Sequence, residues 1–169
     1  MNKRQKVIFY LFFIPGIAFL TSSTLLFIRP KLYFCRVKTE RIDKQSLYCL
    51  INKLRHKSNL QPLNPNPKLE RAAELRALDI VTHNQFSHDS ISGRDREEAL
   101  KEANYEWLIS GEVLARRFNT NQEVFDGWIK SASHSAIILD SHYQDIGITV
   151  MDANKIPEEK VVVGLLGLE

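Results

Sequence analysis

Hydrophobic and polar positions divide the chain into stretches with different periodicities. From Val7 to Ile28, "VIFYLFFIPGIAFLTSSTLLFI" runs for 22 positions without a charged residue. At a helical rise of 1.5 Å per residue this reaches roughly 33 Å, enough to cross a hydrocarbon core of about 30 Å. The pattern predicts a transmembrane helix over 7–28, with 1–6 as a cytoplasmic tail. Lys3, Arg4 and Lys6 precede it as basic residues precede a signal peptide's core, and Thr21, Ser22 and Ser23 imitate a cleavage site. The apolar run continues past them to Ile28, longer than a signal core of about 7–15 residues. An uncleaved signal anchor is therefore the preferred reading, and secretion after cleavage is the alternative. Residues 29–45, charge-rich and opening on Arg29-Pro30, read as a juxtamembrane spacer.

From Ser46 the period becomes that of an amphipathic helix. Leu47, Leu50, Ile51 and Leu54 recur on one face and leave Lys53, Arg55 and Lys57 for solvent. The proline-rich "LQPLNPNP" ends it, after which Asn66 can cap a second helix and Pro67 can occupy its first turn, where a missing N–H costs nothing. Leu69, Ala72, Ala73, Leu75, Ile80 and Val81 give that helix its apolar side and carry it to about His83. A short third helix is predicted over "GRDREEALKEAN". A fourth is predicted over "NQEVFDGWIKSAS", with Asn121 as cap and Val124, Phe125, Trp128 and Ile129 on one face. "ISGEVLARRF" is compatible with a strand, and "DIGITVMD" and "KVVVGLLG", joined by polar "ANKIPEE", read as an antiparallel hairpin. Helices first and the clearest strands last predict an α+β domain over 46–168.

Charge changes the picture once the apolar segment is set aside. Residues 1–30 hold Lys3, Arg4, Lys6 and Arg29 and no acid, and removing those four from the 23 basic residues leaves 19 against 20 acidic ones, a net of −1. A near-neutral domain of mixed sign has no electrostatic footprint for nucleic acid, and that class of partner is excluded. Lys/Arg counts on the two sides of the span leave its orientation open. Cys35 and Cys49 form neither a C-x-x-C redox motif nor half of a zinc site. A disulfide closing a juxtamembrane loop and two separate thiols, with Cys49 buried on a helix, both remain open.

Of five histidines, His56 sits among basic residues at a helix end, His83 is five residues from His88 and so off its helical face, and His142 lies in polar "DSHYQD". His88, in "QFSHDS", and His134, in "SASHSAIIL", each follow a predicted helix and are the candidates for chemistry.

"INKLR" at 51–55, "LQPLNPNPKL" at 60–69, "AAELRALDI" at 72–80, "FSH" at 86–88, "GEVLA" at 111–115, "WIKSASHSAIIL" at 128–139 and "DIGITV" at 145–150 follow one another in an order that resembles the CAP superfamily of cysteine-rich secretory, antigen 5 and pathogenesis-related 1 proteins, in its compact bacterial form. The resemblance spans about Ser46 to Gly167. It implies an α-β-α sandwich with a central antiparallel sheet, and a cleft whose floor joins His88, Glu112 and His134. A fourth position, acidic in many relatives, is Ser131 here. Val113 and Ile137 stand where asparagine is usual, and both remove hydrogen-bonding capacity near the site.

Two neutral imidazoles and a carboxylate can hold a divalent metal such as zinc, with water completing the shell. With no second carboxylate or cysteine at ligand spacing, binding at His88 and His134 is expected to be weak and pH-dependent. Glu112 can instead accept hydrogen bonds and fix a histidine. The preferred function is a single-pass binding module at the cell membrane; the resemblance implies that it is extracytoplasmic and that its cleft takes a lipid, peptide or glycan ligand of the cell envelope. The alternatives are a hydrolase, through metal-activated water or through Ser131 or Ser133, and an interaction domain with an inert cleft. No G-x-S-x-G elbow supports the serine form.

Overall fold

The computed structural model describes residues 37–38, 41–153 and 159–169. The apolar segment 7–28, the tail before it and most of the spacer lie outside these, and no helix among the described residues is long and apolar enough to cross a membrane. The elements in chain order are α1 (Lys44–Lys57), β1 (Asn64–Pro65), α2 (Pro67–His83), α3 (Arg96–Glu102), β2 (Ile109–Arg116), α4 (Asn121–Lys130), α5 (Ala132–Ile138), β3 (Asp145–Asp152) and β4 (Lys160–Leu168).

Local chemistry accounts for most of the boundaries. Asn66 caps α2 by accepting from the amides of Lys68 and Leu69, Pro67 is its first residue, and Asn84 ends it in the left-handed region at φ 52°. The cap of α4 is Thr120 and not Asn121: Thr120 and Glu123 form a reciprocal capping box. Asn121 is buried in the first turn, where its Nδ2 donates to the carbonyls of Lys38 and Arg41 and its Oδ1 accepts from the Asp43 amide. A further helix, α5, starts directly after Ser131, so His134 follows α4 as expected but lies within a helix and not in a loop. Its two turns are too short to produce a readable apolar period.

The sheet has the order β1-β3-β4-β2. β4 pairs antiparallel with both β2 and β3, but β1 runs parallel to β3, so the sheet is mixed and not wholly antiparallel. β1 is a two-residue rung formed where the loop after α1 passes β3, and Pro65, lacking an N–H, suits this outer edge.

Side-chain alternation along the strands divides the core in two. Leu114, Val161, Val163 and Leu165 face α2 and α3, with Leu69, Ala72, Ala73 and Leu100. Val113, Ala115, Val162, Ile146 and Ile148 face the other way, against Leu47, Ile51, Val124 and Trp128 of α1 and α4. Helical layers on both faces of one sheet give the α-β-α sandwich. Gly147 lets α2 lie directly on β3, because a Cβ there would fall inside the backbone of Leu69 and Glu70.

Arg55 overturns its expected solvent exposure. It is fully buried, four residues after Ile51 and therefore on the apolar face, and it donates to the carbonyls of Gln61 (2.8 Å), Ile138 (2.8 Å), Asp140 (2.8 Å) and Tyr143 (3.3 Å). Cys49 is buried on α1 and disulfide-bonded, while Cys35 lies outside the described residues.

Candidate functional site

The site is built outward from one carboxylate. Glu112 lies on β2 opposite Leu165, on the sheet face shared with Leu114, and is 2% exposed. Above it, α2 presents Arg76 in phase with Leu69, Ala72, Ala73 and Ile80, so that a guanidinium occupies the apolar stripe with no exposure at all. Arg76 Nε donates to Glu112 Oε1 at 2.9 Å. Its Nη1 reaches Asp79 Oδ2 (3.2 Å) and the Arg94 carbonyl (3.0 Å), and its Nη2 reaches the carbonyls of Ser87 (2.9 Å) and His88 (3.4 Å). Asp79, also buried, accepts from the hydroxyls of Ser90 and Ser92. One arginine and one aspartate on α2 thus pin the loop carrying His88.

His88 Nδ1 lies 2.7 Å from Glu112 Oε2, so this nitrogen donates to the carboxylate and Nε2 is turned to the opening. Its ring centroid is 5.8 Å from that of His134 on α5, at an interplanar angle of 61°. Among the described residues His134 has no side-chain hydrogen-bond partner. A cleft of about 380 Å³ opens over this pair. His88, Asp89 and Asp95 line it from the loop, Arg96 and Glu97 from α3, Glu112 from β2, and Ser133, His134 and Ile137 from α5.

The structure therefore joins three of the four predicted site residues. Ser131 is not part of the lining: it stands at the α4–α5 junction with its Oγ 3.1 Å from that of Ser133, which does line the cleft. Val113 faces away into the core at no exposure, and Ile137 packs on Gly111, where a Cβ would come 2.8 Å from both Ile137 Cγ2 and Tyr143 Oη. Sequence reading misses Arg76, although its signal is present as a charged residue on an apolar helical stripe.

The two imidazoles are held in different proton equilibria. The hydrogen bond to Glu112 holds the His88 pKa above the ordinary imidazole value, and burial, followed by the neighbouring His88, holds that of His134 below it. His88 thus adds stability that is fully present below about pH 6.5 and is lost as pH rises through its raised folded value. His134 costs stability as pH falls from about 6.5 through its lowered value. In a proton NMR titration of the metal-free chain, the two rings are expected to titrate on opposite sides of 6.5, about where an unperturbed imidazole titrates. Glu112→Gln should bring His88 back down, and coincident titration of the two rings would contradict the geometry.

Among the described residues no three His, Cys, Asp or Glu side chains form a metal-binding group. Both Glu112 oxygens are engaged, by Arg76 and by His88, so this carboxylate orients an imidazole from behind and is not itself a free ligand. What remains for a divalent ion is two imidazoles and water.

The model of the CAP cysteine-rich secretory protein family matches residues 48–164, most of the chain. The chain belongs to the CAP family. Among relatives, the CAP domain is similar to protein YkwD of Bacillus subtilis strain 168, 27% identical over 107 residues that cover 63% of this chain and 42% of YkwD. It is also similar to the membrane protein YlbC of the same organism, 25% identical over 113 residues covering 67% of this chain and 33% of YlbC. The chain thus spans less than half the length of these two relatives. Among solved structures, an outer surface protein of Borrelia burgdorferi superposes with a TM-score of 0.66 at 22% identity, over 78% of this chain and 98% of that one. An extracellular SCP-domain protein of Bacillus anthracis gives 0.67 at 22% identity, over 74% and 40%. At such identity these two show a shared CAP fold.

Proposed function

We propose that this CAP domain is a membrane-anchored, extracytoplasmic binding module whose cleft receives a lipid, peptide or glycan ligand of the cell envelope and holds a divalent ion weakly through His88 and His134. The observation that carries this reading is the pairing of the two imidazoles beneath an open cleft, over a carboxylate that is already satisfied. A fixed, preorganised floor with free donor atoms above it suits recognition. The serine form of hydrolysis is not favoured: the hydroxyls of Ser131 and Ser133 lie 3.1 Å from each other, and among the described residues His134 has no side-chain hydrogen bond to either.

Three observations support anchoring and location. The 22-residue apolar run at 7–28 is long enough to span a bilayer. Relatives bear names placing them at a membrane, at an outer surface or outside the cell. The disulfide at Cys49 fits an oxidising compartment. A bound ion would polarise a ligand oxygen; the chain's own contribution is Glu112 holding the His88 ring, with α5 presenting His134.

Zinc added to the full-length chain is expected to shift the ring signals of His88 and His134 together, and His88→Ala or His134→Ala to abolish both shifts. One imidazole makes too few ligands for appreciable affinity. Zinc shifts that depend on His83 or His142 instead would overturn the assignment. Protease added to intact cells is expected to digest the domain; digestion only after lysis would reverse the proposed orientation.

A further inference from the structure

The arginines bordering the cleft use their donors unequally. Arg76 makes five hydrogen bonds, and Arg94 reaches Glu102 at 2.8 Å. Arg96 does neither. Its Nε is buried with no acceptor among the described residues, and the carboxylate paired with it, that of Glu97, lies 3.8 Å from Nη2, beyond hydrogen-bond distance. A guanidinium has five N–H donors in a planar fork and is costly to leave unsatisfied where water is restricted. Arg96 lines the same cleft as Ser133 and His134, and its field reaches both His88 and Tyr143.

We propose that Arg96 is the anchor for a carboxylate on the ligand, with Ser133, which lines the same cleft, as a second donor. The inference rests on the cleft being a binding site and adds the chemical class of what it binds. Carboxylate and guanidinium are both planar, and two parallel N–H···O bonds give orientation as well as attraction. The acids around the opening decide between oxyanions. Asp89, Asp95 and Glu97 are exposed and line the same cleft, and Asp95 is partly occupied in capping Glu98. Solvent screens them, yet three like charges at the entrance disfavour a ligand group with more than one negative charge. A single carboxylate suits this field better than a phosphate dianion. The same acids suit a ligand that carries a cationic or hydroxylated portion outside the anchored end.

The test uses the full-length chain in neutral detergent, with acetate and inorganic phosphate as probes at constant ionic strength. The Arg96 Nε–H, Ser133 amide and His134 ring signals are followed by NMR. Acetate is expected to shift all three saturably, and phosphate to bind at least severalfold more weakly. Arg96→Gln should weaken acetate binding by tenfold or more, the range for a hydrogen bond to a charged group. Arg96→Lys, which keeps the charge and loses the fork, should recover only part. Glu97→Gln, removing the competing carboxylate, should tighten it by about twofold. Arg96 is half-exposed, so an unchanged unfolding midpoint will show that its variants remain folded.

Acetate shifts of equal size and midpoint in Arg96→Gln, or phosphate binding as tight as acetate, would overturn the proposal. If zinc moves His88 and His134 together while acetate moves nothing, the anchor is wrong and the binding cleft stands. If neither probe perturbs the site, both readings fail.

Discussion

Arg76→Met is expected to destabilise the CAP domain by about 3–5 kcal/mol, the range for removing one partner of a buried ion pair. Methionine keeps the length and apolar stem of the side chain, so the loss isolates the guanidinium. Glu112 at 2% and Asp79 at 3% exposure would each lose the guanidinium paired with them, and the carbonyls of Ser87, His88 and Arg94 would lose a donor. Urea unfolding measures the effect. The variant's NMR spectrum should also show the His88 loop mobile and the two imidazoles no longer coupled. Adding Glu112→Leu to Arg76→Met should recover part of the stability, because an apolar pair needs no compensation, while leaving His88 unfixed. A loss below about 1 kcal/mol would show that the network around Arg76 contributes little to the fold.

Trp128→Ala should cost a similar amount, about 3–5 kcal/mol, by the different route of an emptied core position. The indole is 1% exposed, packs between α4 and the sheet, and donates from Nε1 to the Leu114 carbonyl at 3.0 Å. Trp128→Phe keeps most of the apolar volume and removes the donor, and is expected to cost about 1–2 kcal/mol. The difference between the two variants separates packing from the hydrogen bond. Near-equal losses would mean that the hydrogen bond carries the effect. Because Leu114 lies two residues from Glu112, Trp128→Ala should also loosen the strand that carries the carboxylate.

These two residues mark how far the sequence is legible. Trp128 belongs to an apolar face whose spacing announces it, as do Asn66 and Pro67 at the start of α2 and the β-branched runs of β3 and β4. In each case a local rule and the tertiary environment agree. Arg55 and Arg76 are where they conflict. Each sits at a helical position that geometry assigns to the core, while its charge assigns it to water, and the conflict is resolved in large part by carbonyls and a carboxylate distant in sequence. Position along the stripe is the better guide for both. Thr120 shows a smaller version: Asn121 is an equally good capping residue by type, and only the partner Glu123 at the right spacing separates them. For the site, the resemblance supplies His88, Glu112 and His134 in one place, but not that Glu112 is already held by Arg76, nor that Ser133 lines the cleft in place of Ser131.

The strand order has a consequence for how the domain is made. β4 is the last described element in the chain and yet stands between β3 and β2, and it is the strand through which β2, bearing Glu112, joins the sheet. While the polypeptide is being synthesised, β2 has no strand partner in the described sheet until residues 160–168 emerge. The pairings Ile109↔Leu168 and Arg116↔Val161 each span dozens of residues, so closing them is a slow, late step. Until then the apolar faces of β2 and β3 are open to intermolecular pairing. The pairing of β2, and with it the placement of Glu112, therefore waits by topology on the entry of β4 into the middle of the sheet.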